Sequence, residues 1–235
     1  MNCTASRLRH IAPIARHNST RVFALLLAAA VLAAPCSAQT PAARLVDSAR
    51  VSYDRLIAFD DTVGLGRIET LLDRALQAFP GDPYLQHYRG LVGYRHGLID
   101  MESNPRRATT NLTIAAGMLS SADAKLPWPE SAALLASTYG LLIGLDQSRG
   151  MELGQHVGEL QGRAMSVGAN NPRVHLIIGQ ALANTPPEWG GGVDKARALI
   201  TKAVELFATD VPAPLAPTWG REEAVATLAR MNKGF

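Results

Sequence analysis

Cysteine is almost missing from this 235-residue chain: Cys3 and Cys36 are its two thiols, and both fall within the first 38 residues. From residue 39 onward no disulfide or thiolate metal site can form, so stability there must come from packing. Aromatic residues are sparse at 6%, which argues against a surface built on stacked rings. Acidic residues do not occur before Asp47. The longest apolar run, residues 22–34, is too short and too alanine-rich for a membrane span. No segment shows strand alternation bounded by hairpin turns. Phosphate-binding loops are absent as well: Gly64-Leu65-Gly66 lacks a third glycine, and no Gly-Lys-Ser/Thr or Gly-x-Ser-x-Gly occurs. His87, His96, His156 and His175 show no three- or four-residue spacing that would set two metal ligands on one helix face. The reading is therefore no cofactor, no metal and no catalytic residue.

The first 38 residues read as an export signal. Arg7, Arg9, Arg16 and Arg21 precede the apolar run, and Cys36-Ser37-Ala38 offers small residues for cleavage between Ala38 and Gln39. The expectation is a periplasmic or secreted protein with no stable membrane span after cleavage. Four of the 23 Lys and Arg leave with the leader, so 19 remain against 20 Asp and Glu, a net charge of −1. The basic character of the whole chain thus belongs to the leader and is no argument for nucleic acid as a partner.

What is present is helical periodicity. Leu65, Ile68, Leu72, Ala75 and Phe79 recur 128 residues later as Val193, Ala196, Ile200, Ala203 and Phe207. Their 3, 4, 3, 4 spacing follows one face of an α-helix, so one apolar stripe occurs twice. Breaks fall at residues 80–83, 103–105, 127–129, 168–172, 186–192 and 212–217, and the chain after Ala42 reads as eight core helices in four hairpins. A ninth helix is expected from about Arg221 to Met231, its charged residues suiting an end cap. Pro83, Pro129 and Pro172 sit where a first helical turn tolerates a missing N–H. Seven residues after each comes Gly90, Ala136 or Gly179, and the second helices carry Ala75, Ala164 and Ala203. Small residues at matched depth let two helix backbones approach closely.

On these residues residues 41–207 resemble the tetratricopeptide (TPR) repeats. Ala196 with Ala203 reproduces the family's alanine pair, Ala75 with Pro80 its alanine and closing proline, and Pro83 with Gly90 and Pro172 with Gly179 its first-helix pattern. The resemblance implies an all-α superhelix of about four hairpins, residues 39–235, with a C-terminal capping helix. The spacing departs from the family: Pro83 to Pro129 is 46 residues and Pro129 to Pro172 is 43, against a TPR period of 34 and the longer HEAT period. Longer helices or loops are expected.

The resemblance further implies a non-enzymatic scaffold that takes a protein or peptide into a concave groove lined by the first helices. Counting from each proline places Tyr84, His87, Tyr94 and Arg95 there from one hairpin, Glu130 and Ser137 from the next, and Arg173, Gln180 and Asn184 from the last. Tyr and Arg dominate binding energy at interfaces, which singles out Tyr84, Tyr94 and Arg95. A second candidate is the loop Glu188, Trp189, Gly190, Gly191 and Gly192. It reads either as a long turn with Trp189 packed back over the hairpin, or as a binding loop in which exposed backbone N–H groups at the N-terminus of the helix starting near Val193 hold an anion. Short Pro-x-x-x-Gly-Gly loops of this sort occur in TPR-like periplasmic proteins that accompany solute transporters. The alternative function is accordingly a small-ligand or transporter-accessory protein with an inter-helix pocket near Trp189.

Overall fold

The computed structural model describes residues 39–56 and 60–233; the export signal expected in residues 1–38 lies outside them. Among the described residues there are nine α-helices and no strand. They are α1 (Pro41–Asp54), α2 (Thr62–Ala78), α3 (Pro83–Ser103), α4 (Pro105–Asp123), α5 (Pro129–Leu145), α6 (Gly150–Val167), α7 (Pro172–Ala183), α8 (Val193–Phe207) and α9 (Arg221–Lys233). No helix among them is long and apolar enough to cross a membrane.

Sequence chemistry starts these helices. Proline occupies the first turn of α1, α3, α4, α5 and α7, where its missing N–H costs no intrahelical bond. Asp82 accepts from Tyr84 N and Leu85 N, each at 3.0 Å. Asn171 accepts from Arg173 N at 3.0 Å and Val174 N at 3.4 Å. Each cap satisfies donors that a helix start leaves unpaired. Asn104 ends α3 and caps α4, so these helices of 21 and 19 residues are joined by one residue. Helix length, rather than loop length, therefore explains the 46-residue spacing that opens the second hairpin.

Consecutive helices pair as α1/α2, α3/α4, α5/α6 and α7/α8, and each second helix also packs on the next first helix. The first helices contact one another in order, α1 on α3, α3 on α5, and α5 on α7. This is an all-α superhelix of four hairpins, with α9 packed on α8. The small residues sit where the helices meet. A Cβ on Gly90 would lie 2.5 Å from Leu119 Cγ of α4, and one on Gly179 would lie 2.8 Å from Ile200 Cδ1 of α8. Ala75, Ala136, Ala164 and Ala203 are all buried. The duplicated stripe is buried at Leu65, Ile68, Leu72 and Ala75, and again at Ala196, Ile200, Ala203 and Phe207. Val193 departs from it: at the first position of α8 it is 37% exposed.

Between α8 and α9, residues 211–220 form neither helix nor strand and turn at Pro214-Leu215, where Ala216 N donates to Ala213 O at 3.0 Å; this strap returns to the first helices. Asp210 Oδ2 accepts from Arg173 Nη2 of α7 at 2.6 Å, and Leu215 O accepts from Tyr88 Oη of α3 at 3.0 Å. Thr218 Oγ1 accepts from Arg50 Nη1 at 3.1 Å and donates to Asp54, both on α1. Leu215 adopts φ +66°, a left-handed conformation that is costly for a branched side chain and persists where surroundings over-determine it. Gly220, at φ +111°, turns the strap into α9.

Candidate functional site

The residues expected to line a groove are on the first helices, but the strap and α9 lie against Arg95 and Gln180. Arg95, 3% exposed, donates from Nε to Tyr53 Oη at 2.6 Å and from Nη1 and Nη2 to Glu223 of α9 at 3.1 and 2.6 Å. Its guanidinium also lies 5.3 Å from the Trp219 ring centroid. Burial works against this cation, yet Glu223 and the hydroxyls of Tyr53 and Tyr94 outweigh it and raise its pKa. Burial pushes the Tyr53 hydroxyl up to about 12. Gln180 donates from Nε2 to Glu223 at 2.7 Å. Tyr94, 4% exposed, meets Ser137 Oγ at 3.3 Å. Tyr94 and Arg95 are thus part of the protein's interior rather than open anchors, because the chain's own C-terminus occupies their face. Asn184 is exposed and donates from Nδ2 to Gln180 O at 3.0 Å.

The Trp189 loop differs from the turn expected to pack Trp189 back over the hairpin. Pro187–Trp189 form a single 3-10 turn, and Trp189 is 68% exposed instead of packed back on the hairpin. The N–H groups of Gly190, Gly191 and Gly192 donate to Pro187 O, Pro186 O and Leu182 O at 3.0, 3.1 and 3.0 Å. They are therefore not free to hold an anion. A Cβ on Gly191 would sit 2.0 Å from Thr185 O, so close backbone packing explains that glycine. Glu188 is exposed.

The remaining candidates converge at the other end of α7. A cleft of about 540 Å³ opens between residues 127–130 at the start of α5, residues 166–171 after α6 with Arg173 on α7, and residues 210–213 with Ala216 and Pro217 of the strap. A smaller cavity of about 160 Å³ adjoins it, and Pro127, Trp128, Pro129 and Val167 belong to both walls. Glu130, 4% exposed, accepts from Asn171 Nδ2 at 2.7 Å. Arg173, 2% exposed, is held by Asp210 and by the Phe207 ring, whose centroid lies 5.3 Å from the guanidinium. Its Nε is buried without a hydrogen-bond partner.

Trp128 connects this cleft to the second hairpin. Its ring meets Tyr84 edge-on at 5.0 Å and His87 edge-on at 5.1 Å. His87 is fully buried, its Nδ1 2.8 Å from Ser131 Oγ and its Nε2 without a partner. Burial drives the imidazole pKa down to about 3, so the ring is neutral at ordinary pH. No group of three or more His, Cys, Asp or Glu side chains that could hold a metal ion occurs among the described residues. The cleft sets Trp128, Val167 and several prolines beside the polar side chains of Glu130, Ser166, Asn170, Asn171, Arg173 and Asp210. Four expected residues (Tyr84, His87, Glu130 and Arg173) therefore meet around Trp128, which pattern reading did not single out. Its position between Pro127 and Pro129, at a helix start, was the available clue.

No protein-family profile matches the chain, and no curated protein matches it. Among solved structures it is similar to the HusA haemophore from Porphyromonas gingivalis, with a TM-score of 0.65 and 23% identity over 83% of this chain and 94% of that one. At that identity the likeness is one of fold.

Proposed function

We propose that the chain is an exported, TPR-like binding protein that carries a small organic ligand in the cleft beside Trp128. The observation that carries this reading is the strap. With α9 it lies against Tyr88, Arg95 and Gln180 of the first helices, while the cleft at its edge, about 540 Å³, falls within the roughly 300–1,000 Å³ of small-molecule sites. The similar fold of a haemophore makes a porphyrin the first ligand class to try. A flat ring suits the wall formed by Trp128, Val167 and the prolines.

The test is a titration of the protein with protoporphyrin IX and with haemin, following ligand absorbance and tryptophan emission. Saturable one-to-one binding that Val167→Glu weakens at least tenfold supports the assignment. Absence of saturable binding by both porphyrins refutes it.

A protein-binding scaffold is the second reading, and one observation favours it: Trp189 stands 68% exposed on a loop pinned by backbone hydrogen bonds. Rigid exposed aromatic residues are the type that anchor partners. Capture of a partner from the native envelope, abolished by Trp189→Ala, would support that function.

A further inference from the structure

We infer that the cleft beside Trp128 receives the charged head of an α-amino acid, its ammonium on Glu130 and its carboxylate on Arg173. The inference rests on the cleft being a small-ligand site and does not need that ligand to be a porphyrin. Three charged side chains stand in the wall: Glu130, Arg173 and Asp210. Two carboxylates against one guanidinium leave it at a formal −1. A plain anion would face both carboxylates, and a plain cation would face Arg173. A head group that carries both charges can turn each end to its opposite.

Two of these side chains have bonding capacity left over. Arg173 is 2% exposed, yet its side chain makes one hydrogen bond among the described residues, from Nη2 to Asp210 Oδ2 at 2.6 Å. A guanidinium carries five N–H donors, and the Nε of this one is buried without a partner. Unpaired polar atoms in a protein interior are rare and call for a physical explanation. Glu130 is 4% exposed, and its one hydrogen-bond partner among the described residues is the neutral amide of Asn171, at 2.7 Å. Buried carboxylates are ordinarily paired with a cation. Here the start of α5, in whose first turn Glu130 sits, supports the charge instead. Asn171 ties the two positions together, since its side chain donates to Glu130 and accepts from Arg173 N at 3.0 Å. An ammonium brings three donors for Glu130, and a carboxylate brings acceptors for the donors that Asp210 leaves over. Beside them Trp128 and Val167, with Leu126 and Ala164 of the adjoining 160 Å³ cavity, offer apolar surface to the amino acid's side chain.

The experiment titrates the full chain with L-phenylalanine, 3-phenylpropanoate and 2-phenylethylammonium by isothermal calorimetry at about pH 7, where an amino acid carries both charges. The first probe has both groups on one phenyl ring, and the other two have one each. Phenylalanine should bind at least about tenfold more tightly than either analogue, as one added charge-assisted contact implies. Glu130→Gln, which keeps an acceptor for Asn171, should weaken phenylalanine about tenfold or more and leave 3-phenylpropanoate no weaker. Arg173→Lys should weaken phenylalanine and 3-phenylpropanoate and leave 2-phenylethylammonium no weaker. Phenylalanine binding within about threefold of either analogue overturns the inference, as does the lack of saturable binding up to about 10 mM. Both are read on wild-type protein, whether or not the variants fold. Unchanged phenylalanine affinity in Glu130→Gln overturns it as well. Porphyrin binding without phenylalanine binding removes this inference and leaves the porphyrin reading standing; phenylalanine selectivity without porphyrin binding does the reverse.

Discussion

Replacing Glu223 by alanine isolates what the strap and α9 contribute. The substitution removes two hydrogen bonds from Arg95 and one from Gln180. The Arg95 side chain is 3% exposed and that of Glu223 is 15% exposed, so the guanidinium would stay in the interior after losing this carboxylate. Breaking a buried pair from one side typically costs about 3–5 kcal/mol, because the stranded charge cannot rehydrate. For a domain of this size each kcal/mol moves the melting temperature by about 2–4 °C, so Glu223→Ala should melt on the order of 10 °C below the parent. Arg95→Met combined with Glu223→Leu removes both charges and keeps volume, and should recover most of that loss. Thermal melts of the three proteins, followed by far-ultraviolet circular dichroism, make the comparison. A Glu223→Ala protein melting within about 2 °C of the parent would refute the view that α9 is held by this pair.

Other outcomes follow from the same packing. His87 holds its proton less tightly folded than unfolded, with a pKa lowered from 6.5 to about 3. Only the unfolded chain takes up that proton between these values, so stability falls as pH drops below 6.5, by about 2–3 kcal/mol at pH 4.5. Denaturant titrations should show that His87→Gln loses this part of the slope; an identical slope would count against it. Ala203→Leu should cost about 1–3 kcal/mol by overpacking the last hairpin, and Gly90→Ala should be similarly destabilising because Leu119 must move; a parent-like melt of either would contradict the close approach. Trp189→Ala, by contrast, should change stability by no more than about 0.5 kcal/mol, and a larger loss on urea unfolding would mean the loop supports the hairpin.

How much of this was legible in the linear chain depends on the distance over which each feature acts. Helix starts were readable because proline acts within one turn, as at Pro83 and Pro172. The close helix pairs were readable from Gly90, Gly179 and Ala203 because helical spacing turns small residues into a pattern. The strap was not. Its partners lie far off in sequence, Tyr88 with Leu215 and Arg50 with Thr218, and a proline- and alanine-rich run has no period to betray a face. Counting along the first helices put Arg95, Tyr94 and Gln180 on one face, but could not show that Glu223 bonds to Arg95 and Gln180. At the cleft, Glu130 and Arg173 were found by that counting, whereas Trp128 and Asp210 belong to turns where no repeat applies.

Open stacks of helical hairpins can fray from either end, since each unit leans on its neighbours alone. Here the strap stitches the earliest helix to the latest, with Asp54 and Arg50 of α1 tied to Thr218 and Arg173 of α7 tied to Asp210. The array is thereby closed into a loop of contacts with no loose terminus among its hairpins. Such a chain should come apart in one cooperative step, and it can complete its interior only after residues 210–223 have been synthesised.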